Sequence, residues 1–330
     1  MESALVETPN PPKIIFGLMS AVAKPATIEQ LVRALQPHRV VIHHDFTQQP
    51  EFSIRADNAT FVPNPRRTGY GVWALTEGVI RLVEHCVANE EFDYFQLISP
   101  ACLPIKPLSE FQVYIASSKV DGHAEFCDLR DNIEAMLSFG HRVYAPNNSF
   151  RHRLLRRSRR WHLGRQAPEL EDRYGIQIVA RSKAAGWSPL DTIGSVITRL
   201  MDKGLLGYRL PDPSWRPMMG GMWFGGNRQV CQYIAERINE PAVYAHFASV
   251  NDFGEHCFAT LLGNSEFRLG PFNTYVNKYN DWNPGIFGEE DLDRLAILPQ
   301  FFARKFPDDP AAPVRLKVLE WVTGERVRPG

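Results

Sequence analysis

The sequence has no excess of one charge, no long apolar run and no paired cysteines, and each absence excludes a class of protein. Its 330 residues include 37 basic and 37 acidic side chains, so no net charge attracts the whole chain to nucleic acid. No run approaches the roughly 20 apolar residues that span a bilayer. The start of the sequence lacks the basic and apolar segments of a signal peptide. We therefore expect a cytoplasmic protein, which could work at the inner face of the membrane.

The cysteines lack the close spacing that is typical of metal sites and redox motifs. An odd number of them, without an export signal, predicts reduced thiols. We interpret them as small buried core residues, including Cys102 and Cys257, which lie beside other motifs. The five are Cys86, Cys102, Cys127, Cys231 and Cys257.

Short apolar runs alternate with helical patterns along much of the chain. Residues 13–19 and 39–45 are predicted strands, and residues 27–35 between them have helical spacing. This βαβ opening predicts an α/β fold with a Rossmann-like, mostly parallel central sheet flanked by helices. Further predicted strands are 93–99, 124–127 and 222–225, and further helices are 72–87, 111–117, 229–238 and 289–298.

The alternation stops over residues 140–215, where the segment 151–161 is dense in arginine. We predict a single domain over residues 1–330, with an Arg-rich insertion at about 140–215. The segment Arg151–Arg160 is either a solvated basic helix or a functional patch. A patch would bind an anionic acceptor, such as a lipid-linked diphosphate, or make peripheral contact with a membrane. Charge alone does not separate these readings.

One carboxylate and one cationic pair point most directly to chemistry. Glu255 lies between the turn-forming residues 251–254 and an apolar run, and Arg304 and Lys305 are bracketed by phenylalanines. A carboxylate can act as a general base, and two cations can hold a phosphorylated leaving group. This combination is typical of group transfer from an activated donor. The alternative for Glu255 is a carboxylate placed by the dipole of a helix N-terminus.

A divalent metal is not expected. The Asp-x-Asp pattern that often holds one occurs at Asp291 and Asp293, in the acidic first turn of the predicted helix 289–298. Acidic residues there are explained by helix stabilisation. Arg304 and Lys305 can meet the negative charge of a departing diphosphate in place of a metal.

Several separated motifs occur in order: Ile-His-His-Asp at 42–45, Phe-Gln-Leu-Ile-Ser-Pro-Ala-Cys-Leu-Pro-Ile-Lys at 95–106, Gly-Gly-Met-Trp-Phe at 220–224, Asp-Phe-Gly-Glu with an apolar run at 252–262, Tyr-Asn-Asp-Trp at 279–282 and Phe-Ala-Arg-Lys-Phe at 302–306. Together they resemble the Core-2/I-branching enzyme family of glycosyltransferases, which includes branching N-acetylglucosaminyltransferases and peptide xylosyltransferases. The resemblance covers about residues 13–310. The closing motif is its strongest part.

The resemblance implies a GT-A fold, an inverting mechanism and a nucleotide-sugar donor used without a metal. It assigns Glu255 as the catalytic base and Lys305, beside Arg304, as the contact to the donor diphosphate. The sequence departs from the family at Pro100 and Cys102, where the family has Gly and Asp, and at Gly254, where it has Asp.

Four further residues are candidates for substrate contacts. Asp45, at the end of the second strand, is the partner expected for the uracil or ribose, or else a turn cap. Arg67 is expected to approach the donor. Glu125 is predicted to end a strand on the acceptor side and to accept hydrogen bonds from sugar hydroxyls. Trp223 either stacks on a sugar ring or belongs to the core.

The sequence thus predicts an inverting, metal-independent glycosyltransferase. It would move N-acetylglucosamine or xylose from a UDP-sugar to a hydroxyl of a saccharide or lipid-linked saccharide acceptor. A bacterial role in surface polysaccharide or lipid-linked oligosaccharide synthesis is expected. No cofactor besides the donor and no nucleic-acid partner are expected. The alternative is a nucleotide-sugar- or carbohydrate-binding protein on the same fold that has lost turnover.

Overall fold

The structure is a computed structural model that describes residues 11–69, 73–146, 148–163, 169–180, 192, 196, 200, 209–250, 254–280 and 283–324. Its centre is a six-stranded sheet in the order β3-β2-β1-β4-β11-β6. The first four strands in this order are parallel to one another, and β11 runs antiparallel to both of its neighbours, β4 and β6. The predicted α/β class with a mostly parallel sheet is confirmed. The strands are β1 Ile14–Ser20, β2 Arg39–His44, β3 Ala59–Phe61, β4 Tyr94–Ile98, β6 Gly122–His123 and β11 Gly225–Asn227.

Helices connect these strands and pack against the sheet. Helix α1 has Pro25 in its first turn, where a missing N–H costs nothing, and buries Ile28, Leu31 and Val32 on one face. Asn227 accepts a hydrogen bond from Val230 N at 3.0 Å and so caps α6. The helices are α1 Pro25–Ala34, α2 Trp73–Asn89, α3 Leu108–Ser117, α4 Ile133–Val143, α5 Phe150–Leu163, α6 Arg228–Ile238, α7 Pro241–Ser249, α8 Cys257–Gly263, α9 Leu292–Ile297 and α10 Pro313–Thr323.

Smaller sheets place the motif residues around one end of the central sheet. In one of them β15 lies between β12 and β5, which sets Arg304 opposite Asn277 and Cys102. Strands β7 and β10 pair, β8 and β9 form a hairpin, and β13 pairs with β14. Their bounds are β5 Cys102–Pro104, β7 Phe126–Asp128, β8 Glu169–Arg173, β9 Ile176–Ala180, β10 Met218–Gly220, β12 Tyr275–Asn277, β13 Tyr279–Asn280, β14 Asn283–Pro284 and β15 Phe302–Arg304.

Two apolar clusters hold these layers together. The larger one fills both faces of the central sheet. The smaller one, which includes Phe139, Leu155 and Ile178, lies between α4, α5 and the β8–β9 hairpin. The described part of the predicted Arg-rich insertion is therefore packed through its own core, which also uses α4, a helix that begins before residue 140. The five cysteines are free and buried, as predicted.

Two predicted strands lie a few residues from their expected positions. The expected strand 222–225 is replaced by β10 and β11 on either side of Met222–Phe224, and the expected strand 124–127 is split into β6 and β7. The apolar pattern correctly predicted that residues 222–224 are buried, since Met222, Trp223 and Phe224 all are. The apolar pattern does not predict which backbone groups form hydrogen bonds with another strand. Glu125 consequently lies between two strands and does not end one.

No helix within the described ranges is long and apolar enough to cross a membrane.

Candidate functional site

A cavity of about 670 Å³ opens at the carboxyl ends of β1 and β4. The loops that follow these strands, residues 21–23 and 99–101, form one wall. Helix α4, the β8–β9 turn and the end of β15 form the others. Ligands of open α/β sheets bind at this edge, because the loops there diverge and leave a crevice. Of the sequence-predicted site residues, Glu255, Trp223, Arg304 and Lys305 line the cavity.

Arg304 and Lys305 bring two positive charges to the cavity wall. The Arg304 guanidinium carbon lies 5.2 Å from the centre of the Trp223 ring, and its Nη1 donates a 3.4 Å hydrogen bond to Asn277 Oδ1. Its Nε is buried without a hydrogen-bond partner. Within the part of the chain that the structure describes, no carboxylate lies within 4.0 Å of either cation. Burial, together with the charge of Arg304, lowers the pKa of Lys305.

Half-buried cations without a carboxylate are costly unless an anion is bound. A cavity that presents two of them side by side is therefore suited to a ligand with two or more negative charges. A diphosphate fits this description in charge and, with its attached groups, in the size of the cavity.

Glu255 lines the same cavity and is held there by an ion pair. Arg142 Nη1 lies 2.9 Å from Glu255 Oε2, and 28% of the Glu255 side chain remains exposed. Arg142 comes from the last turn of α4, where a cation is favoured by the helix dipole. Glu255 itself lies in a turn directly before the N-cap residue of α8, so the alternative of a carboxylate placed by the helix dipole stays open. Its neighbour His256 is buried and donates from Nδ1 to Met218 O at 2.8 Å, a structural role.

Glycine at position 254 is required by the turn that presents Glu255. Its φ is +86°, a left-handed conformation that side chains with a Cβ rarely adopt. A Cβ there would also lie 3.0 Å from the Phe258 ring. The aspartate that the family resemblance would place here does not suit this backbone, which explains the departure at Gly254 in physical terms.

The Gly220–Gly221 pair of the sequence motif lets two chain segments meet beside the cavity. A Cβ on Gly220 would come within 2.0 Å of Glu125 O. Gly221 donates its N–H both to Glu125 O at 3.1 Å and to Tyr174 O at 2.9 Å. The turn of the β8–β9 hairpin is thereby held against β7, and Gly175 of that turn lines the cavity.

A second cavity of about 230 Å³ adjoins the first and shares four of its lining residues. The shared residues are Gly175, Trp223, Asn277 and Tyr279. Glu125 lines this smaller cavity, and burial raises the pKa of its carboxyl group. Asn273 Oδ1 and Gln300 Oε1 are buried on its wall without hydrogen-bond partners. These groups offer acceptor oxygens, so the cavity suits a ligand with several hydroxyl donors.

Trp223 lies between the two cavities, and its environment combines features of the two predicted roles, a core residue and a ring available to a sugar. It is only 7% exposed and stacks on Tyr275, with ring centres 5.5 Å apart. Trp223 also lines both cavities, and the Arg304 guanidinium lies over its ring. The side chain is thus a core residue with one edge in the site.

Asp45 lies outside both cavities and holds two loops together. It is 1% exposed, and its carboxylate accepts hydrogen bonds from Thr47, Gln48 and Thr68 at 2.6–3.0 Å. Burial alone would raise the pKa of Asp45, but these hydrogen bonds hold it well below the ordinary value. The turn-cap alternative matches this geometry. The predicted contact to uracil or ribose stays a prediction, and no exposed oxygen of Asp45 supports it.

Arg67 is exposed on the loop before Thr68 and does not line either cavity. The motif residues Asp252, Asp281 and Trp282 lie outside the described residues. Cys102, which stands where the family has Asp, is buried in β5, and its Sγ accepts from Ser99 N at 3.1 Å.

The Asp-x-Asp pattern lies at a helix start, as the sequence indicated. Asp291 accepts hydrogen bonds from Gly288 N at 2.8 Å and from Lys278 Nζ. A short 3-10 turn over Glu289–Asp291 leads directly into α9. Neither aspartate lines the two cavities. Among the described side chains there is no group of three or more metal-ligating residues.

Sequence reasoning missed Arg142 and Asn277, and it included Tyr279 in a motif without assigning it a role. Tyr279 donates to Gly175 O at 2.7 Å and receives a 3.3 Å hydrogen bond from Asn277 Nδ2, so these residues tie the hairpin turn to the sheet that carries Arg304. Burial first, and then the charge of Glu255, raises the pKa of the Tyr279 hydroxyl. The sequence analysis predicts no helix at this position, so the place of Arg142 in the last turn of α4 is known only from the structure. Its pairing with Glu255 depends on a contact between segments far apart in sequence.

No family model matches the sequence, and no curated protein matches it. A solved structure that resembles it is that of mouse xyloside xylosyltransferase 1 in its apo form, with 8% sequence identity and a TM-score of 0.32. The alignment covers 88% of this chain and 97% of that chain.

Proposed function

We propose that this chain is an inverting glycosyltransferase of GT-A architecture. It would move a sugar, N-acetylglucosamine or xylose, from a UDP-sugar to a hydroxyl of a saccharide or lipid-linked saccharide acceptor without a divalent metal. The observation that carries the proposal is the juxtaposition of Glu255 with Arg304 and Lys305 in one cavity. A base and an anion site in one cavity are the two parts that displacement of a diphosphate requires.

The reaction assigns a separate task to each group. Glu255 takes the proton of the acceptor hydroxyl as its oxygen bonds to the anomeric carbon of the donor. The bond from that carbon to the diphosphate oxygen breaks, and the electron pair leaves with the nucleoside diphosphate. Arg304 and Lys305 stabilise the growing negative charge. Attack from the side opposite the leaving group inverts the configuration at the anomeric carbon.

The ion pair with Arg142 supports the role of Glu255. Oε2 is buried beside Arg142, so the other carboxylate oxygen is the one that would approach the acceptor hydroxyl. A base works when its orientation is held within a few tenths of an ångström of the productive position. Arg142 is therefore a positioning residue in this mechanism.

The smaller cavity supports an acceptor site beside the reacting centre. Glu125 and the unpaired oxygens of Asn273 and Gln300 would accept hydrogen bonds from sugar hydroxyls. Trp223, between the two cavities, would contact both sugars. Arg67 and Asp45 lie apart from these cavities and have no part in the proposed contacts. A role in bacterial surface polysaccharide or lipid-linked oligosaccharide synthesis is part of the proposal, because such pathways use acceptors of this class.

The proposal is tested first by binding. Purified protein is screened by thermal unfolding against UDP, UDP-N-acetylglucosamine, UDP-xylose and, as a matched control, uridine. A ligand that binds only the folded state raises the melting temperature by mass action. The diphosphate compounds are expected to do so and uridine is not, because the cavity supplies cations. A shift with uridine equal to that with UDP would contradict a diphosphate site.

The second candidate is a nucleotide-sugar- or carbohydrate-binding protein on the same fold without turnover. The observation that favours it is the absence of the family's Gly and Asp at Pro100 and Cys102, since Pro100 lines the cavity. Slow release of UDP from the UDP-sugar that binds would support the enzyme. Binding without any release, with or without oligosaccharide acceptors, would support the binding protein.

A further inference from the structure

Helix α5 divides its residues between a packed face and an exposed one. His152 and Leu155 are buried at 5% and 9% exposure, and the His152 ring contacts that of His141 on α4, with centres 5.5 Å apart. On the other side, Phe150 is 73% exposed and Leu154 is 44% exposed. These two apolar side chains are four residues apart and therefore lie one turn apart on the same face.

Arginines flank this apolar pair. Arg151, Arg153 and Arg156 are exposed, and no carboxylate in the described ranges lies within 4.0 Å of these three side chains. Isolated exposed apolar residues are common on soluble proteins. Val113 is an example at 68% exposure, on helix α3, which has no lysine or arginine. The combination on α5 is different, because apolar and cationic groups share one outward surface.

A solvated basic helix does not account for this surface. Solvation favours polar side chains on the outward face, whereas here a phenylalanine and a leucine lie on it beside the arginines. Binding of a phosphate backbone requires cations and gains little from an aliphatic side chain. A lipid surface uses both kinds of group, since apolar side chains enter the acyl boundary and arginines remain among anionic headgroups.

We propose that the outward face of α5, formed by Phe150 and Leu154 with Arg151, Arg153 and Arg156, docks on a membrane surface that contains anionic lipids. Helix α5 packs against α4, and four residues of α4 line the large cavity: Ser138, Phe139, His141 and Arg142. Docking through α5 would therefore bring the cavity close to the lipid surface. The lipid contact does not depend on transferase activity and can be measured by binding alone.

The test is sedimentation of the full chain with vesicles of phosphatidylcholine, with or without phosphatidylglycerol. We expect binding to the vesicles that contain phosphatidylglycerol and little to phosphatidylcholine alone. Added salt should weaken binding, because headgroup attraction is screened. Replacing Arg151, Arg153 and Arg156 by glutamine should weaken partitioning about 5-fold per arginine.

Replacing Phe150 and Leu154 tests the apolar part of the lipid contact. Phe150→Ser with Leu154→Ser should lower partitioning by about 10-fold or more, because apolar area no longer leaves water. Val113→Ser, which removes an exposed apolar side chain from a helix without arginine, should leave vesicle binding unchanged. Circular dichroism and thermal unfolding check that each variant is folded. If the double serine variant does not fold, the glutamine variant and the salt dependence still decide the outcome.

Three results would overturn the proposal. The first is equal binding to both kinds of vesicle, or to neither. The second is wild-type vesicle binding in both the glutamine and the serine variants. The third is binding of a single-stranded RNA that depends on the arginines without any vesicle binding, which would replace the lipid by nucleic acid.

Discussion

The end of β2 and the large cavity are both rich in polar side chains, but they differ in where their hydrogen bonds go. At the end of β2, Asp45 is surrounded by donors from its own chain, and His44 contacts Ser20 Oγ at 3.0 Å and Gln49 O at 3.2 Å. In the cavity, Arg304 and Lys305 have no carboxylate partner among the described residues, and Glu255 has one arginine.

The difference separates polar groups that stabilise the fold from those that are available to a ligand. At β2 the buried histidine His43 has its pKa lowered to about 4 by burial and accepts a hydrogen bond from Arg66 N at 2.9 Å. The Asp45 carboxylate in that cluster is satisfied by donors of the chain itself, although Nδ1 of His43 is buried without a hydrogen-bond partner. In the cavity, Arg304 and Lys305 lack a carboxylate partner among the described residues, an arrangement that lowers stability and favours the binding of an anion.

The largest expected effect is on stability, at β2. Asp45→Ala should lower the free energy of unfolding by about 4 kcal/mol, because the donors of Thr47, Gln48 and Thr68 lose a charged acceptor in a buried setting. Urea unfolding measures this change. Asp57→Ala, at an exposed position, is the matched control and should change stability by less than about 0.5 kcal/mol. A small change in the free energy of unfolding in Asp45→Ala would show that the end of β2 does not stabilise the fold more than the cavity does.

The same carboxylate predicts a pH dependence with a definite sign. Because the folded-state pKa of Asp45 is lowered, its contribution is complete above the unfolded-state value of about 3.9 and is lost as the pH falls below it. The difference in stability between wild type and Asp45→Asn should therefore be constant near neutral pH and shrink in acid. A difference that grows as the pH falls would contradict the assignment.

The next effect concerns turnover in the cavity. Glu255→Gln should lower the turnover number by about 10²-fold or more with little change in donor affinity, because a base acts only in the chemical step. The measurement is UDP release at saturating donor, beside donor binding by calorimetry. Glu110→Gln, on the exposed first turn of α3, is the matched control. Wild-type turnover in Glu255→Gln would eliminate Glu255 as the base.

A smaller effect is expected at the anion site. Lys305→Ala should weaken UDP binding by about 10-fold and also slow turnover, because in the proposed mechanism the lysine contacts the diphosphate before and during its departure. Lys317→Ala, on the exposed surface of α10, removes the same charge away from the cavity. Arg304 also lines the cavity, so Arg304→Ala should weaken binding too. Unchanged UDP affinity in Lys305→Ala would disprove the clamp.

The smallest expected effect is that of a chelator. Turnover in EDTA should equal that in buffer, because in the proposed mechanism Arg304 and Lys305 meet the charge of the diphosphate in place of a metal. Loss of turnover that manganese restores would contradict metal independence and would direct attention to Asp291 and Asp293.

The periodicity of the sequence was sufficient for the first half of the sheet and for most helices. Strands β1, β2 and β4 and helices α1, α2 and α6 fall within a few residues of their predicted bounds, because each buries a continuous apolar stripe that local spacing reveals. The short strands around residues 122–128 and 218–227 were misplaced, because their pairing is between distant segments. The candidates Glu255, Arg304, Lys305 and Trp223 were found from residue type and motif.

The sequence by itself determined the α/β class, the buried cysteines and the chemical types available for a site. Only the tertiary structure decided which of these groups share a cavity. It separated Asp45 and Arg67 from Glu255 and Lys305, brought Arg142 from α4 to within 2.9 Å of Glu255, and turned Phe150 and Leu154 outward. The physical reason is that residue type and local spacing are encoded along the chain. Whether a charged side chain has a partner or is available to a ligand depends on contacts between segments that are far apart in the sequence.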